Sequence, residues 1–218
     1  MLRLMIAALS FLVTGSALAA GPGVIVKAGT LGAGLDIGWA FNESLDARVS
    51  LNGYSTDDTF TESDIAYTAD IDLATAGLLL DWHPFRGSFR LSAGVYANNN
   101  ELSATGRPTG GTFVINGVTY NASDIGSLNG LIAFDSASPY LGLGFGRMSK
   151  SGFKFTFDLG VLYQKPDATL NVVCGAGLPA PTCTQLQSDV AAEQAQLNDE
   201  LDDYRYYPVV AIGVGWVF

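Results

Sequence analysis

Apolar and polar residues alternate along much of the chain after residue 30. The alternation is clearest in five stretches, at residues 31–41, 45–52, 89–98, 153–164 and 210–218. Every second residue there is apolar, and the residues between are mainly glycine, small polar or singly charged residues. Successive side chains of a β-strand point to opposite faces of the sheet. The pattern therefore predicts antiparallel strands, each with one apolar face.

The two faces of these strands favour a membrane barrel over a soluble sandwich, whose strands also alternate. The apolar faces end in aromatic residues, namely Trp39, Phe41, Tyr163, Trp216 and Phe218. Aromatic girdles at both interfaces are typical of transmembrane β-barrels. The other faces carry glycines and isolated charges, which suit a crowded interior better than open water. We therefore predict that the apolar faces contact lipid.

The connections between the strands alternate in length. Short ones lie at residues 42–44, 83–88 and 147–152, and long ones lie at 55–66, 99–138 and 165–203. Outer-membrane barrels have short periplasmic turns and long external loops, so the last strand should end in the periplasm. The mature N-terminus also starts there, which requires a first strand that turns at Thr30. We predict an eight-stranded antiparallel transmembrane β-barrel with strands at residues 21–29, 31–41, 45–56, 66–82, 88–104, 130–147, 152–170 and 204–218.

The fourth predicted strand leaves one ambiguity. Asp70 and Asp72 share their parity with the apolar residues Leu78, Leu80 and Trp82. Either these aspartates lie above the membrane, or a β-bulge shifts the register between the two halves of the strand.

The N-terminus has the organisation of a secretory signal peptide, which divides the chain into a signal peptide at 1–19 and a barrel at 20–218. Arg3 provides the positive start, residues 4–13 form the apolar core, and Ala17-Leu18-Ala19 is a small-x-small cleavage site. This core is too short to cross a bilayer as a helix, which needs about 20 residues. Together with the strands, the signal peptide predicts the bacterial outer membrane as the location.

Charge narrows the choice of partners. Without the signal peptide, ten basic residues stand against 21 acidic ones, a net charge of −11. A nucleic-acid partner is therefore not expected, because nucleic acids are bound through clustered Lys and Arg. The only histidine, His83, falls in a short periplasmic connection, away from the leaflet in which a Ser–His lipid hydrolase would act. We expect no enzymatic activity, no cofactor and no metal site.

Two of the long connections carry local signals. Asn116-Gly117 is a strong β-hairpin signal between the strand-like residues 112–115 and 118–121, and predicts an external hairpin. Cys174 and Cys183 are the only two cysteines. In an exported chain they predict a disulfide that stabilises the fold by about 3 kcal/mol.

A short helix is predicted after the second cysteine. Thr184 and Gln187 have the spacing of a capping box. One face of the helix is apolar, with Leu186, Val190, Leu197 and Leu201. The opposite face is polar and includes Asp189 and Glu193. Two alternatives remain for its role: a lid over the barrel mouth, or a helix packed on the rim that shields loop backbone, which we favour.

Six charged residues alternate with the apolar faces and are predicted to point into the barrel: Asp36, Asp46, Arg48, Arg90, Lys154 and Asp158. Arg or Lys on the lipid face costs about 2–4 kcal/mol at the membrane midplane. Opposite charges in so small a space should pair with each other. An eight-stranded barrel is just wide enough for side chains to fill. These residues therefore either plug the barrel or line a narrow passage for a small cationic solute.

Several segments resemble known barrels. SPYLGLGF at 138–145 resembles a strand start of small Gram-negative barrels, and INGVTY at 115–120 is similar to the external hairpin of the CarO-type ornithine-uptake porins. The acidic helix that runs through residues 204–207 into the last strand is similar to that family as well. The resemblance implies an eight-stranded OmpA-like barrel, inserted by the outer-membrane assembly machinery, and uptake of basic amino acids. The loop between the two cysteines departs from the family.

These observations support two functional hypotheses. The first is a narrow outer-membrane channel or uptake protein for small, preferably cationic solutes. The alternative is a closed structural or surface-interaction barrel without conductance. The expected partners are outer-membrane lipid and lipopolysaccharide, the assembly machinery and, for a channel, basic amino acids. Trp216 and Phe218 end the last apolar face and are expected to form the signal that the assembly machinery reads.

Overall fold

The computed structural model describes residues 21–62 and 65–218. The predicted signal peptide lies outside the described residues. The described part of the chain contains 13 strands and one α-helix. The elements are β1 Gly23–Gly29, β2 Gly32–Asn42, β3 Leu45–Glu62, β4 Ile65–Trp82, β5 Phe89–Asn98, β6 Glu101–Pro108, β7 Thr112–Ile115, β8 Val118–Asn121, β9 Ile125–Phe134, β10 Ala137–Phe145, β11 Gly152–Tyr163, β12 Pro166–Cys174, α1 Ala180–Leu201 and β13 Tyr206–Val217.

Antiparallel pairing closes part of the sheet into a barrel. The pairs run from β1 through β2, β3, β4, β5, β10, β11 and β13 and return to β1. We call this cycle the central barrel. Strands β6, β9 and β12 extend the same sheet from the first half of β4. The predicted count of eight strands is not confirmed, because the sheet contains 11 strands.

The extra strands arise because three predicted strands are each divided in two. The predicted strand 88–104 contains β5 and the start of β6, 130–147 contains the end of β9 and β10, and 152–170 contains β11 and the start of β12. The last of these breaks falls at Gln164, whose backbone N–H donates to the carbonyl of Arg205, 2.9 Å away. The next strand begins with Pro166, which has no N–H to continue a ladder with β13. The chain therefore leaves the barrel at this level.

Much of the sequence that was expected to form long loops is strand. The second half of β3, the first half of β4, and β6, β9 and β12 form what we call the upper sheet. Strands β3 and β4 pair without a register shift from Leu45↔Trp82 to Glu62↔Ile65. Asp70 and Asp72 lie in the half that pairs with β6. No bulge separates the halves of β4, so the second alternative for the two aspartates, a shift of register, is wrong.

Helix α1 begins earlier than predicted and packs on the upper sheet. It starts at Ala180 after Pro179, and the Thr184 hydroxyl donates to the Ala180 carbonyl at 3.1 Å, so the predicted capping box is wrong. The side-chain amide of Asn198 exchanges two hydrogen bonds with the backbone of Ala168, at 2.7 and 2.9 Å. The exposed edge of β12 is thereby covered, as edge strands require. These contacts fit the rim-shielding alternative.

The predicted hairpin and disulfide are both confirmed. Strands β7 and β8 pair around Asn116 and Gly117, which have φ angles of 49° and 76°, as a two-residue primed turn requires. Cys174 and Cys183 form a disulfide that ties the end of β12 to the first turn of α1. A small apolar core fills the space between the hairpin, β9 and α1, formed by Ile115, Tyr120, Ile125, Leu186 and Val190.

Asp189 lies on the buried side of α1, which corrects its predicted place on the polar face. Its carboxylate accepts hydrogen bonds from the Tyr120 hydroxyl, from Asn116 Nδ2 and from Gln185 Nε2, the last two at 3.1 Å. The bonds from Tyr120 and Asn116 hold the pKa of the Asp189 carboxyl below its usual range. Burial, and then the bond to Asp189, raise the pKa of Tyr120 to about 12. A charged Asp189 therefore fastens the hairpin to the helix.

The outside of the central barrel is covered by large apolar side chains. The exposed ones include Trp39, Leu78, Leu80, Trp82, Leu141, Phe153, Phe155, Ile212, Val214 and Trp216. A contiguous apolar surface of this kind is unusual for a protein surrounded by water. Among the described residues, no helix has the length and apolar character needed to cross a membrane.

Candidate functional site

Charged side chains from six strands meet inside the lower half of the central barrel, the end at which the short connections lie. Of the six residues predicted to point inward, five are nearly fully buried there: Asp36, Asp46, Arg48, Arg90 and Asp158. Each of them is flanked by residues that point outward, because side chains alternate along a strand.

Arg48 is the centre of this group. Its guanidinium donates from Nη1 to Asp36 at 2.7 Å, from Nε to Asp81 at 2.9 Å, and from Nη2 to Asp158 at 3.1 Å. Second hydrogen bonds of 3.2 Å run to Asp81 and to Asp158. The five donor N–H groups of a guanidinium form a rigid fork that suits carboxylates. Arg48 therefore holds strands β2, β4 and β11 together from inside.

Two further cations complete the group. Arg90 Nη2 donates to Asp158 at 2.8 Å. Lys27 Nζ lies 2.8 Å from Asp36 and donates to the Ser50 hydroxyl at 2.8 Å. The three cations and three carboxylates balance each other, and each buried ion has partners, as the high cost of an isolated buried charge demands. We call these residues the ion-pair network: Lys27, Asp36, Arg48, Asp81, Arg90 and Asp158.

Sequence reasoning missed two members of the network. Lys27 lies on the first strand and shares the parity of the buried Ile25. Asp81 lies between the exposed residues Leu80 and Trp82, and the Ser92 hydroxyl donates to it. The alternation that located the other residues also marks these two as inward-facing. It does not indicate which charge each of them meets.

Asp46 lies below the network and pairs with His83 instead. Its Oδ2 is 3.0 Å from His83 Nε2 and accepts the backbone N–H of Met148 at 3.0 Å. The other ring nitrogen of His83, Nδ1, lies 3.1 Å from the Phe89 carbonyl oxygen and donates a hydrogen bond to it. His83 is fully buried. It was predicted as a periplasmic turn residue, but its side chain continues the inward face of β4 and fills the lower lumen.

Lys154 is the one residue of the six predicted for the interior that is not nearly fully buried, and like Asp46 it lies outside the network. It lies below Thr156 and Asp158 on β11, close to the lower rim, and is only half-buried. Its neighbours are other basic residues of the short connections, Arg147 and Lys150. Met148, which follows Arg147 in the connection after β10, is buried and packs with Ile25 and Val217.

An apolar layer with two tyrosines closes the lumen above the network. The rings of Tyr96 and Tyr140 meet edge to face with their centres 5.7 Å apart. They pack with Leu31, Leu79, Leu162 and Val209. A Cβ placed at Gly77 would lie 2.5 Å from the Tyr96 ring, and one at Gly160 would lie 2.5 Å from the Tyr140 hydroxyl. The glycines of the inward faces thus make room for these rings.

Little free volume remains between the layers. The cavity between the network and the tyrosines has a volume of about 10 Å³, which is about the space that one water molecule needs. Above the tyrosines, Asn98 Nδ2 donates to Gln164 at 2.8 Å and to Ser138 at 3.3 Å. The lumen formed by the described residues is therefore filled by side chains at several successive levels.

The C-terminal aromatics lie on the outer surface. Trp216 and Phe218 are 51% and 66% exposed. The backbone N–H of Phe218 donates to the Pro22 carbonyl at 3.3 Å, so the end of the chain remains joined to the start of β1. Strand β13 itself pairs with both β1 and β11 and closes the central barrel.

Among solved structures, two CarO proteins are similar in fold to this chain. The crystal structure of Acinetobacter baumannii CarO matches it with a TM-score of 0.61 and 20% sequence identity, over 93% of this chain and 100% of that chain. The structure of A. baumannii CarO2 matches with a TM-score of 0.55 and 19% identity, over 92% and 100%. No family model and no curated protein sequence matches the chain. The resemblance to the CarO type is thus confirmed for the fold.

Proposed function

We propose that the protein is a bacterial outer-membrane β-barrel whose lumen is closed at rest by the ion-pair network. Its apolar outer surface, its closed strand pairing and its likeness to CarO support the location. The short connections would then face the periplasm, and the upper sheet with α1 would stand outside. Outer-membrane lipid and lipopolysaccharide would surround the exposed aromatic and aliphatic side chains.

The best-supported role is that of a closed structural or surface-interaction barrel. The observation that carries it is the arrangement around Arg48, which contacts three carboxylates from three strands in the middle of the lumen. A conducting pore keeps a continuous water path, whereas here the network, the tyrosine layer and the Asp46–His83 pair follow one another. This ranking reverses the first expectation from the sequence, because the paired charges and the layers above and below them leave no continuous water path among the described residues.

Planar-bilayer recording of the refolded protein tests this proposal. We expect no resolved conductance steps, with or without added lysine or ornithine. Arg48→Ala and Arg90→Ala should then mainly lower stability, whereas they would change the current if they lined a passage. Arg107→Ala, at an exposed position of β6, is the matched control. Regular conductance steps from the unmodified protein would contradict the closed barrel.

Uptake of small cationic solutes is the second candidate function. Lys27 supports it, because its ammonium group contacts Asp36 and Ser50 beside the small cavity. The ammonium group of a basic amino acid could make the same two contacts. Lys27→Met would free Asp36 Oδ1 for such a solute while Arg48 keeps its bond to Asp36 Oδ2, so uptake of labelled ornithine into vesicles should rise. Uptake by vesicles with the Lys27→Met variant that is no higher than uptake by protein-free vesicles would count against this function.

The C-terminus is proposed to direct assembly. Phe218 lies at the end of the outward apolar series of β13 and is exposed, as a residue read by another protein must be. Deletion of Phe218 should lower the amount of protein that reaches the outer membrane in cells, while the same variant should still fold from urea into detergent. Normal assembly of the deletion variant would refute this role.

A further inference from the structure

A cavity at the lower end of the barrel is lined by basic side chains. It has a volume of about 400 Å³ and is formed mainly by the two short connections after β4 and β10. Its basic residues are Arg86, Arg147, Lys150 and Lys154, which we call the basic cleft. This site is separate from the ion-pair network, which lies deeper in the lumen.

The charge of the cleft is opposite to that of the protein. The chain has 21 acidic and 11 basic residues, yet four of the basic ones line this cavity. Within residues 21–62 and 65–218, the ion pairs to carboxylates lie elsewhere and involve Lys27, Arg48, His83, Arg90 and Arg205. A concave site with one sign of charge concentrates the field that attracts an anion.

Backbone contacts hold the cleft in shape. Arg147 donates from Nη2 to the Glu43 carbonyl at 3.0 Å and from Nη1 to the Arg86 carbonyl at 2.5 Å. The backbone N–H of Gly146 donates to the Ser88 carbonyl at 2.9 Å. These bonds join three short connections of the lower end. Because like charges repel, the cations stay close together only where the turns fix them, and a bound anion would relieve that repulsion.

The wall of the cleft also reaches the apolar outer surface. Phe153 and Phe155 line the same cavity and are 66% and 60% exposed on the outward face of β11. The cleft thus offers cations beside an aromatic surface that would contact lipid. A phospholipid has a phosphate group next to hydrocarbon chains and would contact both the cations and the two phenylalanines. A free anion would contact the cations alone.

We propose that the basic cleft binds the phosphate group of an anionic phospholipid, whose acyl chains lie along Phe153 and Phe155. The inference rests on the proposed membrane location but not on whether the lumen is closed. Lys150 and Lys154 would contact the phosphate from β11 and its preceding turn, and Arg147 would contribute its charge while its backbone contacts hold the turns.

Native mass spectrometry of the refolded full chain with phosphatidylglycerol tests this site. The variant K150E/K154E should bind phosphatidylglycerol about tenfold more weakly than the unmodified protein, since surface charge pairs contribute modest energies that add. The matched control is R107E/K165E, which makes the same charge change on β6 and between β11 and β12, away from the cleft. It should bind within about twofold of the unmodified protein. K150Q/K154Q removes the charges without reversing them and covers the case in which the reversed variant does not fold.

Three outcomes would overturn the proposal. They are equal loss of binding in both charge-reversed variants, equal binding of phosphatidylglycerol and phosphatidylcholine, and equal affinity for inorganic phosphate alone. Insertion is measured separately, from tryptophan fluorescence in lipid vesicles. A protein that inserts but shows no lipid preference would refute phospholipid binding in the basic cleft without contradicting the membrane location. A protein that does not insert would refute the membrane location.

Discussion

Replacing Arg48 by methionine tests the role of the ion-pair network most directly. Methionine approximates the length of the side chain but removes five hydrogen bonds to three carboxylates. Lys27 and Arg90 would then face Asp36, Asp81 and Asp158, which leaves one uncompensated negative charge in a buried site. Removing one partner from a buried ion pair costs about 3–5 kcal/mol. Since domains are stable by about 5–15 kcal/mol, the loss should be a large part of the total.

The assay is urea unfolding of the protein inserted in lipid vesicles, followed by tryptophan fluorescence. Trp39, Trp82 and Trp216 lie exposed on the outer face of the barrel, so their emission reports transfer between lipid and water. Arg107→Met, on an exposed residue of β6, is the control. It should change the free energy of unfolding by less than about 0.5 kcal/mol.

A second variant separates charge balance from simple loss of contacts. R48M/D81N keeps the Lys27–Asp36 and Arg90–Asp158 pairs, both at 2.8 Å, and restores neutrality. Its destabilisation should be smaller than the sum of the two single variants by about 1–3 kcal/mol. Strict additivity, or an Arg48→Met variant as stable as the control, would refute the view that the network stabilises the barrel through balanced charge.

Three other changes test the packing of the fold. Gly160→Ala should destabilise the barrel by about 1–3 kcal/mol in the same unfolding assay, because the new methyl group would overlap the buried Tyr140 side chain. Replacing Cys174 and Cys183 by serine should lower stability by about 3 kcal/mol. Asp189 contributes stability that is complete above its unfolded-state pKa and is lost as the pH falls through its lowered folded-state pKa. The protection of the β7–β8 hairpin amides against hydrogen exchange, taken relative to the intrinsic exchange rate at each pH, should therefore fall on acidification.

Each of these has its own control. Gly110→Ala places a methyl group where no atom lies within 4 Å, so it should leave stability nearly unchanged; a Gly160→Ala variant that matched it would contradict the packing of the tyrosine layer. Reduction of the unmodified protein should reproduce the serine variant. Asp189→Asn should remove the acid-dependent part of the hairpin exchange, and an unaltered pH profile would show that another group controls it.

The sequence alone was sufficient for the strands that form the central barrel. Their alternation follows from an exposed apolar surface on one side and a crowded lumen on the other, so the parity of each residue indicates the face to which it points. That is why the parity of Arg48 and Asp158 along their strands was enough to assign both to the interior, and why local signals were enough for the Asn116-Gly117 hairpin and the disulfide. Thr30 was likewise correctly placed in the turn after the first strand.

Only the tertiary structure shows the strands of the upper sheet and the partners of the inward charges, because no local sequence pattern encodes them. Strands β6, β9 and β12 lie in the upper sheet, beyond the apolar outer surface of the central barrel. They show no clear alternation and were predicted largely as loops. Partners are also non-local: Arg48 and Asp158 are 110 residues apart, and only the closure of the barrel brings them together. Whether the inward charges pair with each other depends on those distances, and the three carboxylates lie 2.7, 2.9 and 3.1 Å from the Arg48 guanidinium.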